Sequence, residues 1–68
     1  MRRMHISHGF NNPLDPTEVR VYAEGTVIWE HNFPAGTPIA IIKHFCRMQY
    51  QIHHCTELTG NSPYVHHD

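Results

Sequence analysis

Hydrophobic and polar positions alternate most regularly between residues 17 and 33, where two runs rich in β-branched and aromatic residues, 18–23 and 26–33, flank Glu24 and Gly25. Such runs suit a pleated, half-buried surface, and a two-residue turn between them predicts a β-hairpin. With that turn, Tyr22 pairs with Val27, Val21 with Ile28, Arg20 with Trp29 and Val19 with Glu30. One face then carries Val19, Val21 and Ile28 and suits a core. The other carries Arg20, Tyr22, Val27 and Trp29, with the Arg20 guanidinium able to lie over the Trp29 ring.

Upstream, Met4, Ile6, His8 and Phe10 alternate with Arg3, His5 and Ser7, a weaker pattern that offers a third strand. Asn11, Asn12, Pro13, Leu14, Asp15 and Pro16 follow as a loop, because each proline removes a donor and fixes φ. Downstream, Pro34, Ala35 and Gly36 turn the chain, and Thr37 before Pro38 is a helix start, the hydroxyl capping free amides and the proline pre-set for the first helical position. Ile41, Phe45, Met48, Ile52, Cys55 and Leu58 step by four, three, four, three and three, one stripe of a helix over residues 38–59. Gly60 sits where a left-handed C-terminal cap belongs, and Pro63 prevents resumption. A helix of that length, about 33 Å, outruns strands of about 20 Å, so the far half of the stripe, around Ile52 to Leu58, is left for a second chain. The tail, 60–68, with Tyr64, Val65, His66, His67 and Asp68, has no periodicity.

The expected fold is therefore α+β: an antiparallel hairpin, or a three-stranded sheet with the N-terminal strand, packed on one long C-terminal amphipathic helix. The divisions are an N-terminal strand and loop at 1–16, the hairpin at 17–33, the helix at 38–59 and the tail at 60–68, all in one small domain. At 68 residues the chain buries only about 60% of its unfolded surface, so a partner would help it.

Charge changes the picture by what it disfavours. Five Lys and Arg against six Asp and Glu leave no basic excess of the kind that supplies non-specific nucleic-acid affinity. Eight histidines stand out, since acidification would carry the net charge from −1 toward about +7. The basic start, Met1, Arg2 and Arg3, precedes no apolar run, and no stretch is long enough to span a bilayer, so a soluble cytoplasmic setting is expected. Cys46 and Cys55 lie nine apart on the expected helix, about 13 Å along its axis, beyond disulfide reach.

Metal binding has the right residue types but the wrong spacing. A helical chelate needs ligands three or four apart, whereas His44 has Met48 four along, Cys46 has Tyr50, and His53, His54 and Cys55 are consecutive. His5 and His8 form one local pair, and His66, His67 and Asp68 suit adventitious metal. Catalysis is weaker still: Cys55 falls on the buried stripe, and Cys46 and His53 are two turns, about 10 Å, apart. Neither paired carboxylates nor a glycine-rich phosphate loop is present.

What remains is association. Arg20, Tyr22 and Trp29 on one sheet face, with Arg47, Gln51, Ile52, Cys55 and Leu58 on the far half of the helix, are the candidate partner-binding residues, because aromatics and arginine concentrate interface energy. The expectation is a non-enzymatic protein-binding module without a cofactor, a homodimeric accessory or inhibitor protein of bacterial or phage type that associates with itself through the helix. Two alternatives are a nucleic-acid-binding sheet using Arg20, Tyr22 and Trp29 and a His/Cys metal-binding protein.

Overall fold

In a computed structural model that describes residues 1–60, the chain is α+β, with a four-stranded mixed sheet covered on one face by one helix. The elements are β1 (Arg2–Ile6), a 3-10 turn (His8–Asn11), β2 (Thr17–Ala23), β3 (Thr26–Phe33), α1 (Ile39–Ile52) and β4 (Glu57–Gly60), with strand order β3-β2-β1-β4. β1 pairs antiparallel with β2 and parallel with β4, while β2 and β3 form the antiparallel hairpin. The helix is the crossover that carries the chain from β3 at one edge to β4 at the other, as a parallel return requires. The expected tail, residues 61–68 with Pro63, lies outside the described residues.

The hairpin turn is as expected, with Glu24 (φ 52°) and Gly25 (φ 81°) both left-handed, the geometry that matches strand twist. Tyr22 pairs with Val27, but the next pairs are Val21 with Trp29, Arg20 with Glu30 and Val19 with His31. The bulge leaves Ile28 without an opposite residue and turns every later β3 side chain over. This corrects the expected register: Ile28 is 46% exposed instead of in the core, and Trp29, His31 and Phe33 lie on the helix side. The stacking of Arg20 on Trp29 is lost with it. Arg20 instead bonds Glu30 (Nε to Oε1, 3.2 Å) and pairs with Glu18 (Nη2 to Oε1, 3.1 Å) on the open face.

The helix is shorter than expected, 14 residues instead of the 22 positions of 38–59, and it is not the last element. Its end is a left-handed cap placed six residues before Gly60: His54 has φ 55°, its amide donates to the Gln51 carbonyl, and the Cys55 amide donates to the Tyr50 carbonyl. That pair of bonds satisfies the last-turn carbonyls and turns the chain back toward the sheet. Arg2 completes the join, its Nη1 donating to the His53 carbonyl at 2.9 Å while its own carbonyl accepts from the Thr56 amide. Residues 57–60 then add to β1 as β4. At the other end the Thr37 hydroxyl donates to the Pro34 carbonyl and makes no cap bond to the helix. The N-terminal segment is likewise split: β1 stops at Ile6, and Phe10 is delivered by the 3-10 turn, not by a strand.

The core is Met4 and Ile6 from β1, Phe10, Val19 and Val21 from β2, Phe33, Ile42 and Cys46 from α1, and Cys55. Trp29, Phe45, Tyr50 and Leu58 pack against it, half-buried. The expected stripe Ile41, Met48 and Ile52 is exposed at 56, 46 and 58%, because the helix seats the neighbouring stripe, Ile42, Cys46 and Gln49, on the sheet. Both stripes have helical spacing and lie about 100° apart around the axis.

Candidate functional site

The helix has two flanks of different character. On one, Phe45 reaches the rings of β3, with its centroid 5.9 Å from Trp29, 5.0 Å from His31 and 5.3 Å from Phe33. His53 closes on Trp29 from the helix end at 5.3 Å, held by a bond between its Nε2 and Gln49 Oε1 at 3.1 Å. His31 stacks parallel to Trp29 and edge-on to Phe33. Five rings thus wedge the helix against β3. Since Phe45 shares a helical stripe with Ile41, Met48 and Ile52, those three exposed side chains stand on β3's side of the helix as a ridge beside the ring cluster.

On the opposite flank, Arg47, Tyr50 and Gln51 with Met4, Cys46 and Leu58 line an open apolar pocket of about 210 Å³ between α1, β1 and β4. Both cysteines are free and buried. Burial pushes the Cys46 thiol from its ordinary value near 9 up to about 12, and raises that of Cys55 against the opposing pull of Arg2. Between about pH 9 and 12 the unfolded chain has lost the Cys46 proton while the folded chain keeps it. Stability therefore falls as pH rises through that window, by about 1.4 kcal/mol per pH unit from this group. Denaturation followed from pH about 8 to 10.5 should show a steeper alkaline loss for the native sequence than for Cys46→Ala. Equal slopes would mean that the thiol is not held neutral by the fold.

The open face of the sheet is polar and balanced. Arg3 sits over the Tyr22 ring at 4.9 Å, His5 Nδ1 and Thr59 Oγ1 are hydrogen-bonded at 2.9 Å, and Arg20 is engaged by Glu18 and Glu30.

The candidate residues therefore separate. Arg20 and Tyr22 belong to the open face and Trp29 to the helix side; Arg20 and Trp29 meet only around a shallow groove with Val27, Ile28 and Glu30 at the bulge. Arg47, Gln51 and Leu58 line the pocket, with Leu58 on β4 and not on the helix. Cys55 is in the core, and Ile52 stands on the ridge. His31, Phe45, Ile41 and Met48, which were not among the candidates, also form this flank; the last three share a helical spacing of large apolar groups that reads equally well as core. His8 bonds Asp15 and His5 bonds Thr59, so the local histidine pair is divided. Among the described residues no three of His, Cys, Asp and Glu gather to hold a metal ion, and no helix is long and apolar enough to cross a membrane. No family of known proteins, no curated protein and no solved structure matches the chain.

Proposed function

We propose that this protein is a non-enzymatic protein-binding module that acts by occupying an apolar surface, and that its contact surface is the flank formed by the ridge and β3. The observation that carries the reading is the ridge: Ile41, Met48 and Ile52 each leave about half of their surface in water, in line, beside half-buried Trp29. Scattered exposed aliphatics are ordinary, whereas a contiguous row rimmed by polar groups marks a contact site. The aromatic wedge supports the reading, because rigid rings behind the ridge hold it in place and supply the residue types that dominate interface energy.

Nucleic-acid binding finds less support. The sheet face with Arg3, Arg20 and Tyr22 also carries Glu18 and Glu30, and Arg20 is already paired with both carboxylates. The test is affinity capture by the native protein, by Ile41→Asp/Ile52→Asp and by Arg3→Ala/Tyr22→Ala, each shown folded by circular dichroism. The ridge variant should lose bound protein by at least about tenfold, since a carboxylate buried in an apolar contact lacks a partner, while the open-face variant retains it. Capture unchanged by the ridge variant, or lost only with the open-face variant, overturns the proposal.

A further inference from the structure

We infer that the occupant of this flank is a second copy of the chain, paired antiparallel through β3 about a two-fold axis that passes at His31, an inference that rests on the reading of the ridge as a contact surface. β3 is an edge strand, and among the described residues nothing pairs with its outer side. An edge of this kind presents a row of free amides and carbonyls that a further strand can satisfy. Only part of it is regular. The bulge at Ile28 interrupts one end and Pro34, which has no amide proton, closes the other, leaving residues 29–33.

A two-fold axis through an antiparallel strand pair places residue i opposite a residue of equal parity, so the register has few solutions. Centring on His31, the midpoint of the regular stretch, uses all five residues. It sets Trp29 opposite the second copy's Phe33, Glu30 opposite its Asn32, and the two His31 side chains opposite each other. Centring on Glu30 opposes two carboxylates directly, which destabilises a sheet pair, and draws the bulged Ile28 into the ladder. Centring on Trp29 leaves most of the partner strand facing the bulge. Charge and geometry therefore select the same register.

The remaining surfaces follow from the symmetry. An axis perpendicular to the sheet keeps both helices on one side, each with its ridge of Ile41, Met48 and Ile52 turned toward the joint, and it runs the ring cluster Trp29, His31, Phe33 into its own copy. The ridge offers three side chains, Ile41, Met48 and Ile52, exposed at 56, 46 and 58%, and the strand pairing uses five residues of β3, a small contact beside the roughly 800 Å² that each partner contributes to a standard interface. The expected dimer is accordingly weak.

Two measurements test this. Sedimentation of the native protein from about 5 µM to 1 mM should show a monomer–dimer equilibrium, shifted at least tenfold toward monomer by Ile52→Asp. Register is read by oxidative cross-linking of exposed positions: His31→Cys should join to itself, and Glu30→Cys and Asn32→Cys should cross-link when mixed but not singly. A native protein that stays monomeric to 1 mM overturns the self-pairing, yet leaves the binding module standing if capture of another protein still depends on the ridge. Self-association that ignores Ile52→Asp and gives none of these cross-links overturns both. Dimers sensitive to Ile52→Asp but lacking the cross-links keep the contact surface and reject the β3 pairing.

Discussion

Truncating Phe10 to alanine is expected to remove most of the protein's stability, about 3–5 kcal/mol, because it empties a fully enclosed aromatic site. Phe10 is 1% exposed and the largest completely buried side chain among the described residues. The 3-10 turn that delivers it is tied down on both sides. Ser7 exchanges bonds with Glu18, its amide donating to the Glu18 carbonyl at 2.9 Å and its Oγ accepting from the Glu18 amide at 2.8 Å. Gly9 lies so close to the chain at Pro16 that an added Cβ would fall 2.0 Å from that carbonyl oxygen. The turn cannot sink to fill the hole, so the cavity persists. A chain of this length has a total stability of about 3–10 kcal/mol, and the loss should lower Tm by more than about 12 °C. Leu14→Ala, in the adjacent loop at 85% exposure, is the comparison and should move Tm by no more than a few degrees. A shift for Phe10→Ala as small as that of Leu14→Ala would show that the turn melts separately from the sheet and helix.

Phe10 also shows how the sequence was legible in kind but not in placement. Its alternation with Met4 and Ile6 rightly signals burial on one side, yet the same spacing is produced by a strand followed by a tight turn. The hairpin was legible because Gly25 accepts left-handed backbone between two β-rich runs; Glu24 takes the same conformation without glycine's freedom. The bulge was not, since nothing in the run from Val27 to Trp29 distinguishes a regular ladder from one that drops Ile28. What selects it is tertiary: the shift brings three rings, Trp29, His31 and Phe33, onto the helix side, where Phe45 and His53 receive them. The helix start was legible to within one residue: Pro38, expected as the first helical position behind a Thr37 cap, is itself the cap, with ψ 134°, and the helix begins at Ile39. Its end was obscured because Cys55 and Leu58 continue the helical spacing while lying in the return and in β4, buried and half-buried either way. His54 takes the left-handed role that glycine usually fills, which histidine accepts more readily than most residues. Of the residues expected to share one surface, Ile52 stands on the ridge and Trp29 beside it. The others scatter, because a stripe pattern alone cannot say which of two adjacent stripes faces the sheet.

Gly60 carries a second steep local demand, and Gly60→Ala is expected to detach β4 from β1. Gly60 has φ 94°, a conformation that costs an L-residue on the order of 1–3 kcal/mol, and it pairs with Ile6 at the end of the parallel ladder. An alanine Cβ there would stand 2.1 Å from the Ile6 carbonyl oxygen and 3.0 Å from the Ile6 amide nitrogen. Those are backbone atoms of a central strand, held in turn by β2, so β4 must yield and β1 must not. Among the described residues three further pairs retain β4, Arg3 with Glu57, Met4 with Leu58 and His5 with Thr59, the last reinforced by its side-chain bond. The combined cost, about 2–4 kcal/mol, exceeds what so short a strand gains from its ladder, so the relief is local opening at β4 before global unfolding. Leu58 walls the pocket against Cys46, and Cys55 lies two residues before β4; opening therefore uncovers thiols that are 1 and 8% exposed. In Gly60→Ala both cysteines should react with a thiol reagent at least about tenfold faster than in the native protein under conditions where circular dichroism still reports the hairpin and helix. The bond between His5 and Thr59 makes the step separable: Thr59→Val in the native background should speed labelling by less, because it removes the hydroxyl's bonds to His5 and to the Met4 carbonyl without forcing the strand away. Labelling of Gly60→Ala at the native rate would mean that β4 accommodates the methyl in place, and that the close approach at Ile6 is not what holds residue 60 to glycine.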